Sequence, residues 1–173
     1  MDNLTTPRLT IIPCSVELCD AVLSGNNEQM KLIAGAEPII EWPLEEALHF
    51  LSVYRSYLSD DKSILGWGAW IIVNNSDNLI VGDIGFLGKP TLMGEVEIGY
   101  SIAPGARGRG YALEAAQALI SWAFLDWRVV KTVAKCQTDN IASTKILSKL
   151  GMRYLYLRDN LMIWEIQKKD MKS

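Results

Sequence analysis

The sequence predicts one α/β (α+β) domain, a mixed sheet with helices on its faces. Three observations carry this. A length of 173 residues suits a single domain. A composition of 49% hydrophobic and 21% charged residues can fill a real core. The elements run strand, helices, three meandering strands, helix, strand, helix, strands, without repeat, low-complexity block or linker. That order packs as one sheet covered by helices. One domain is expected over residues 1–173, with its structured core from about residue 7 to 167.

Arg8 to Ile12 reads as the first strand, stopped by Pro13. Ser15 can cap a helix whose apolar positions are Val16, Leu18, Cys19, Val22 and Leu23. Gly25-Asn26-Asn27 ends it, and a shorter helical turn follows around Glu28 to Ile33. Trp42-Pro43 opens a clearer helix, because proline suits a first turn whose N–H groups have no partner anyway. Leu44, Leu48, Leu51, Tyr54 and Leu58 mark its apolar face, and Asp60-Asp61 closes it.

"WGAWIIVNN" (67–75) and "LIVGDIGFLG" (79–88) flank the turn cluster "NNSDN" and are expected to form an antiparallel hairpin. "EVEIGYSIA" (95–103) is the next strand. A helix is expected from about Gly110 to Leu125. "VVKTVAKCQ" (129–137) is a strand rich in β-branched residues. "NIASTKILSKLG" (140–151) is a short helix with Gly151 where a C-terminal glycine belongs. "MRYLYLRDNLMIWEIQ" (152–167) makes two strands around Asp159-Asn160, and the polar tail "KKDMKS" is expected to fray.

The net charge of -3 argues against a nucleic-acid surface. No apolar stretch approaches the ~20 residues of a membrane span. "MDNLTTPRLTIIPC" lacks the basic and apolar segments of a secretory signal. A cytoplasmic protein with no nucleic-acid and no membrane partner is therefore expected. Cys14, Cys19 and Cys136 form no C-x-x-C pair and read as small buried hydrophobes. His49 stands alone in a helical pattern, and no metal site is expected. The tryptophans at 42, 67, 70, 122, 127 and 164 read mostly as core, with Trp42 and Trp67 flanking the substrate side.

The chemistry gathers in "APGARGRGYALEA" (103–115). Glycines let the backbone turn tightly and bring N–H groups toward a ligand. A helix start adds unpaired N–H groups and a partly positive end, which together suit a diphosphate. Arg107 and Arg109 add charge suited to phosphate oxygens. This is not a P-loop, since Gly-Lys-Ser/Thr is missing, and Leu113 stands where the dinucleotide fingerprint needs its third glycine. A nucleotide-hydrolysing site is disfavoured, because no magnesium-binding carboxylate, Ser or Thr follows the loop.

"RGRGYA" fits the R/Q-x-x-G-x-G/A signature of the GNAT N-acetyltransferase superfamily, with Arg107, Gly110 and Ala112 at the fixed places. "LIVGDIGFLG", "VEIGYSIAPGARGRGYALEA" (96–115) and "DNIASTKILSKLGM" (139–152) stand in the expected order. The chain most resembles the branch containing the ribosomal-protein N-terminal (alanine/serine) acetyltransferases. The match covers most of the chain and is weaker over the first ~60 residues, a substrate-facing region.

The resemblance implies the GNAT acyl-CoA N-acyltransferase fold, with a twisted, mostly antiparallel central sheet. It implies acetyl-CoA as cosubstrate and direct transfer to an amine in a ternary complex. Backbone N–H groups of Arg107, Gly108, Arg109, Gly110, Tyr111 and Ala112 would hold the pyrophosphate. The strand bearing Tyr100 and Ile102 would pair with the pantetheine arm. Glu97 matches the family's acidic position and is the base candidate. The alternative is a group that only pairs with Arg107 or orders a water. Glu95 shares its face and reads as solvated.

Ser143 is the candidate donor to the departing thiolate, and Asn140 would bond the pantetheine. The other reading is an N-cap and an ordinary helix serine, and Asn140 could do both jobs. The helix departs from the family pattern in holding no Tyr, so water is an alternative acid. Tyr154 and Tyr156 could reach the site but read as packing. Cys136 has no base to activate it. The resemblance points to a protein or peptide N-terminus as acceptor. A small amine such as a polyamine or aminoglycoside, or a non-catalytic acyl-CoA sensor, is the alternative. A homodimer is left open.

Overall fold

A computed structural model describes residues 1–171. The strands are β1 (Leu4–Thr5), β2 (Leu9–Pro13), β3 (Glu37–Pro38), β4 (Ala69–Asn74), β5 (Leu79–Phe86), β6 (Glu95–Ile102), β7 (Lys131–Gln137), β8 (Arg153–Arg158) and β9 (Leu161–Gln167). The helices are α1 (Val16–Leu23), α2 (Asn27–Ala34), α3 (Glu45–Asp60), α4 (Tyr111–Ala123) and α5 (Ile141–Lys149).

Every residue of β4 is buried, so the segment reads as a continuous apolar run rather than an alternating one. It lies inside a 9-stranded sheet of order β1-β2-β4-β5-β6-β7-β9-β8, with β3 beside β5. β4 and β5 form the expected antiparallel pair, with a register shift at Ile72/Val73. Among the described residues, only β3–β5 and β6–β7 are parallel. The β6–β7 pair is joined through α4, as a parallel connection requires.

Each face of the sheet carries its own core. On one side α4 and α5 cover Trp70, Ile72, Ile84, Val96 and Ile98. On the other, α1, α2 and α3 cover Ala69, Ile71, Val73 and Ile80. Alternate residues of β4 therefore serve opposite cores, as the two-residue period dictates.

Several expectations need correction. Pro13 ends β2 from within the strand, pairing with Trp70. It is tolerated because β1 reaches only Thr10 and Ile11, leaving that edge of Pro13 without a ladder to break. The helix after Trp42-Pro43 begins at Glu45, capped by the Leu44 backbone, so Pro43 lies outside its first turn. Trp42 is instead drawn inward, its Nε1 donating to Asp83 at 2.8 Å. Trp127 is exposed rather than core. α4 is shorter than expected at both ends. Lys168–Asp170 form a 3-10 turn rather than a frayed tail, and Lys172-Ser173 lie outside the described residues. The three cysteines are free and buried. Among the described residues, no helix is long and apolar enough to cross a membrane.

Candidate active site

After a 3-10 turn at Pro104–Ala106, the loop carries Gly108 at φ 75° and Gly110 at φ 81°. Both lie in the left-handed region that disfavours side chains. This backbone leaves the N–H groups of Gly108 through Leu113 without an acceptor among the described residues. Gly110 brings no capping side chain to α4, so the helix start stays open. A row of unpaired N–H groups with a helix dipole behind it makes an anion-binding concavity.

The Arg107 N–H is excluded from that row, since it donates to the Pro104 carbonyl at 3.2 Å. Leu113, outside the set expected from the sequence, adds its N–H instead. The Arg107 Nε donates to the Ile102 carbonyl at 2.9 Å, and the residue lines the cavity beside the loop. Arg109 turns back toward the Gly105 carbonyl and is not brought into the cavity.

A residue that sequence reasoning missed holds this loop. Arg8 donates from Nε to Glu114 at 2.7 Å and from Nη1 to the Arg109 carbonyl at 2.8 Å. Its guanidinium lies 5.2 Å over the Tyr111 ring. Thr6 also donates to Glu114, at 2.6 Å. The connection between β1 and β2 thus clamps the first turn of α4, a link across the chain that no local motif signals.

The loop opens into a cavity of about 650 Å³ that runs along Tyr100, Ser101 and Ile102 to Asn140 and Ser143. The sheet gives way here. β6 and β7 pair only as far as Ile98↔Ala134, while both strands continue. Residues 99–102 therefore present a free backbone edge toward β7. A second cavity of about 280 Å³ occupies the gap and touches Gly99, Tyr100, Cys136, Asn140 and Ser143. Asn140 caps α5, its Oδ1 accepting from the Ser143 N–H at 3.0 Å. Its side-chain NH₂ remains available. The Tyr100 hydroxyl is buried beside Ser143 without a well-formed hydrogen bond. Burial pushes its pKa up to about 12, with Ser143 opposing in part.

Gly99 and Tyr100 also border a cavity of about 200 Å³ lined by Glu46, Phe50, Asp83 and Ser101. Asp83 on β5 stands opposite Ser101 on β6. Its Oδ2 accepts from Trp42 Nε1 at 2.8 Å and Ser101 Oγ at 2.9 Å. Burial raises its pKa, against the pull of those two donors. The signal was present in the sequence: one carboxylate inside an otherwise apolar strand.

Glu97 pairs with Lys135 at 2.7 Å, not with Arg107, and lines none of these cavities. Glu95 is drawn into a pair with Lys131 at 3.0 Å. Tyr154 and Tyr156 lie on the outer strand β8, with Tyr154 packed on Trp164. Among the described residues, no group of His, Cys, Asp and Glu could hold a metal ion.

An open helix start beside a splayed parallel pair can hold an anion with an extended arm along the free strand edge. The acetyltransferase (GNAT) domain family matches residues 8–153, and the chain belongs to that family. It is an N-acetyltransferase. An uncharacterized N-acetyltransferase of Bacillus subtilis, YjdG, is 36% identical over 148 residues, which is 86% of this chain and 88% of that protein. A ribosomal-protein-S5-alanine acetyltransferase from Vibrio fischeri shares the fold with a TM-score of 0.67 at 15% identity, over 100% of both chains. Mycobacterium smegmatis RimJ, solved in complex with CoA-disulfide, shares it with a TM-score of 0.66 at 17% identity, over 99% of this chain and 90% of that one.

Proposed function

We propose that this N-acetyltransferase uses acetyl-CoA and acetylates a primary amine by direct attack, with a protein or peptide N-terminus as acceptor. The row of unpaired N–H groups from Gly108 to Leu113, opening onto the cavity that reaches the β6–β7 gap, carries the reading. The solved ribosomal-protein acetyltransferase of the same fold supports the acceptor class.

Acetyl-CoA supplies an activated acetyl thioester. The N–H groups of Gly108, Arg109, Gly110, Tyr111, Ala112 and Leu113 hold the diphosphate, and the free nitrogens of Arg107 add charge. The free edge of β6 at Tyr100 and Ile102 offers backbone groups to the extended arm. The Asn140 NH₂ bonds the same arm while its Oδ1 caps α5. Ser143 and Tyr100 place hydroxyls where the sulfur departs. Tyr100 stays protonated at neutral pH, since burial holds it near 12, and so remains a donor. The ammonium first loses a proton through water to become a nucleophile; as nitrogen then bonds to the carbonyl carbon and the C–S bond breaks, the nitrogen loses a second proton and the sulfur gains one. Glu97 is held by Lys135 and lines none of the cavities, so it receives the nitrogen's proton only through a chain of water.

Titration calorimetry with CoA and acetyl-CoA tests the reading, followed by thiol release with an amine panel. Micromolar binding with acceptor-dependent release is expected. No binding of either coenzyme would sink it. Tyr100→Phe should lower kcat about 10- to 100-fold while leaving the CoA dissociation constant unchanged, as loss of one hydrogen bond to a developing charge requires. An unchanged kcat would hand the sulfur's proton to Ser143 or water. Arg8→Ala should weaken CoA binding about tenfold by slackening the loop, with kcat little altered.

A further inference from the structure

We propose that the acceptor is a primary amine carrying an apolar, ring-sized arm, with its nitrogen at Asp83 and its arm in an aromatic groove along α3. This deepens the acetyltransferase reading and rests on it.

The cavity holding Asp83 meets the β6–β7 gap at Gly99 and Tyr100. A Cβ at Gly99 would meet nothing within 4 Å, so bare backbone floors the passage. Asp83 has both donors on Oδ2, and Oδ1 has none among the described residues. A carboxylate oxygen inside an apolar pocket calls for a cationic donor. Glu46 stands on the same rim and adds to the negative field.

The pocket continues away from the gap. Phe50 and Leu87 line both it and a groove of about 270 Å³, whose walls include Tyr54, Tyr57, Trp67 and Phe86. Phe50 and Tyr57 are two helical turns apart, so the groove is about 10 Å long. The Tyr54 hydroxyl is satisfied by the Cys14 carbonyl, which leaves its ring as an apolar wall. Tyr57 and Leu87 are 62% and 61% exposed, an apolar rim open to solvent. The far end is closed by Lys89, already paired with Asp61 at 2.7 Å. A second cationic group has no free partner there, which disfavours a polyamine. A flat apolar arm matches the walls.

Calorimetry on the protein with and without CoA, using propylamine, 4-phenylbutylamine and spermidine as probes, tests the assignment. The phenyl arm should tighten binding about tenfold or more over propylamine. The double variant Tyr57→Ser, Leu87→Ser should erase that gain and leave propylamine unchanged. Asp83→Asn should weaken both alkyl amines about tenfold with CoA binding unaltered. Equal binding of the two alkyl amines, tighter binding of spermidine, or indifference to Asp83→Asn would overturn the assignment. Failure of CoA to bind would instead remove the acetyltransferase reading, while the amine titrations without CoA would still separate the three probes.

Unfolding does not confuse the Asp83 result. Asparagine keeps an oxygen for Trp42 and Ser101. A carboxyl raised on folding contributes stability that is complete below its unfolded pKa and lost as pH rises through its folded one. Glu46 of α3 and the Cys14 thiol are the titratable groups around it. Above the carboxylate range, the Asp83→Asn protein should therefore melt no lower than the native one.

Discussion

Gly110→Asp is expected to weaken CoA binding by more than about a hundredfold while the protein stays folded. Two effects add. The residue sits at φ 81°, where a side chain costs about 1–2 kcal/mol. The new carboxylate would also stand at the open start of α4, competing with the diphosphate for the same N–H groups. The fold survives because a Cβ there meets only the Arg8 guanidinium, at 3.4 Å. Aspartate would in addition cap the helix and pair with Arg8, offsetting part of the strain. Calorimetry beside a thermal melt reads both quantities. Binding within a few-fold of native, from a variant with a native melt, would take the diphosphate away from this loop.

The largest effect on stability is expected at Trp70. Its side chain is fully buried between β4 and α4, edge-on to Trp122 at 5.4 Å between ring centroids. Trp122 in turn lies 4.8 Å from Trp67 and 6.3 Å from Phe86. The indole N–H of Trp70 donates to the Gly66 carbonyl at 2.9 Å. Trp70→Ala should therefore cost about 3–5 kcal/mol in urea unfolding, a large part of the roughly 5–15 kcal/mol that folds a domain. Trp70→Phe should recover most of the packing but leave the Gly66 carbonyl without its donor, at about 1–3 kcal/mol. A loss below about 1 kcal/mol for Trp70→Ala would mean that the cluster closes around the void.

What could be read from the sequence followed from local rules. The β4–β5 hairpin showed in its apolar runs and turn cluster. The phosphate-type loop showed in its glycines and the helix behind them. Other features depended on distant partners. The helix at Trp42-Pro43 was placed too early because nothing local reveals that Asp83 claims the Trp42 indole. Two-residue strands such as β1 and β3 have no period to detect. Trp127 is a large apolar residue yet falls in the exposed turn after α4, between Asp126 and Arg128. The sequence offers Arg107 as an ion-pair partner for Glu97, but Lys135 on the neighbouring strand engages it, a pairing that depends on strand register. The Tyr100 hydroxyl lies buried beside Ser143 but comes from another element, so inspecting the α5 helix alone could not supply it.

The division of the interior into two cores has a consequence for how such a protein can change. The loop, α4 and α5 are anchored in one core, while Trp42, Leu51 and Tyr54 behind the acceptor pocket belong to the other. Repacking the second core need not disturb the first, because the sheet stands between them. Acceptor preference can therefore drift through α3 residues such as Phe50 and Tyr57 at little cost to coenzyme grip, whereas Trp67 and Phe86 of the same groove are tied to the first core. The fold behaves as a fixed handle with an exchangeable jaw.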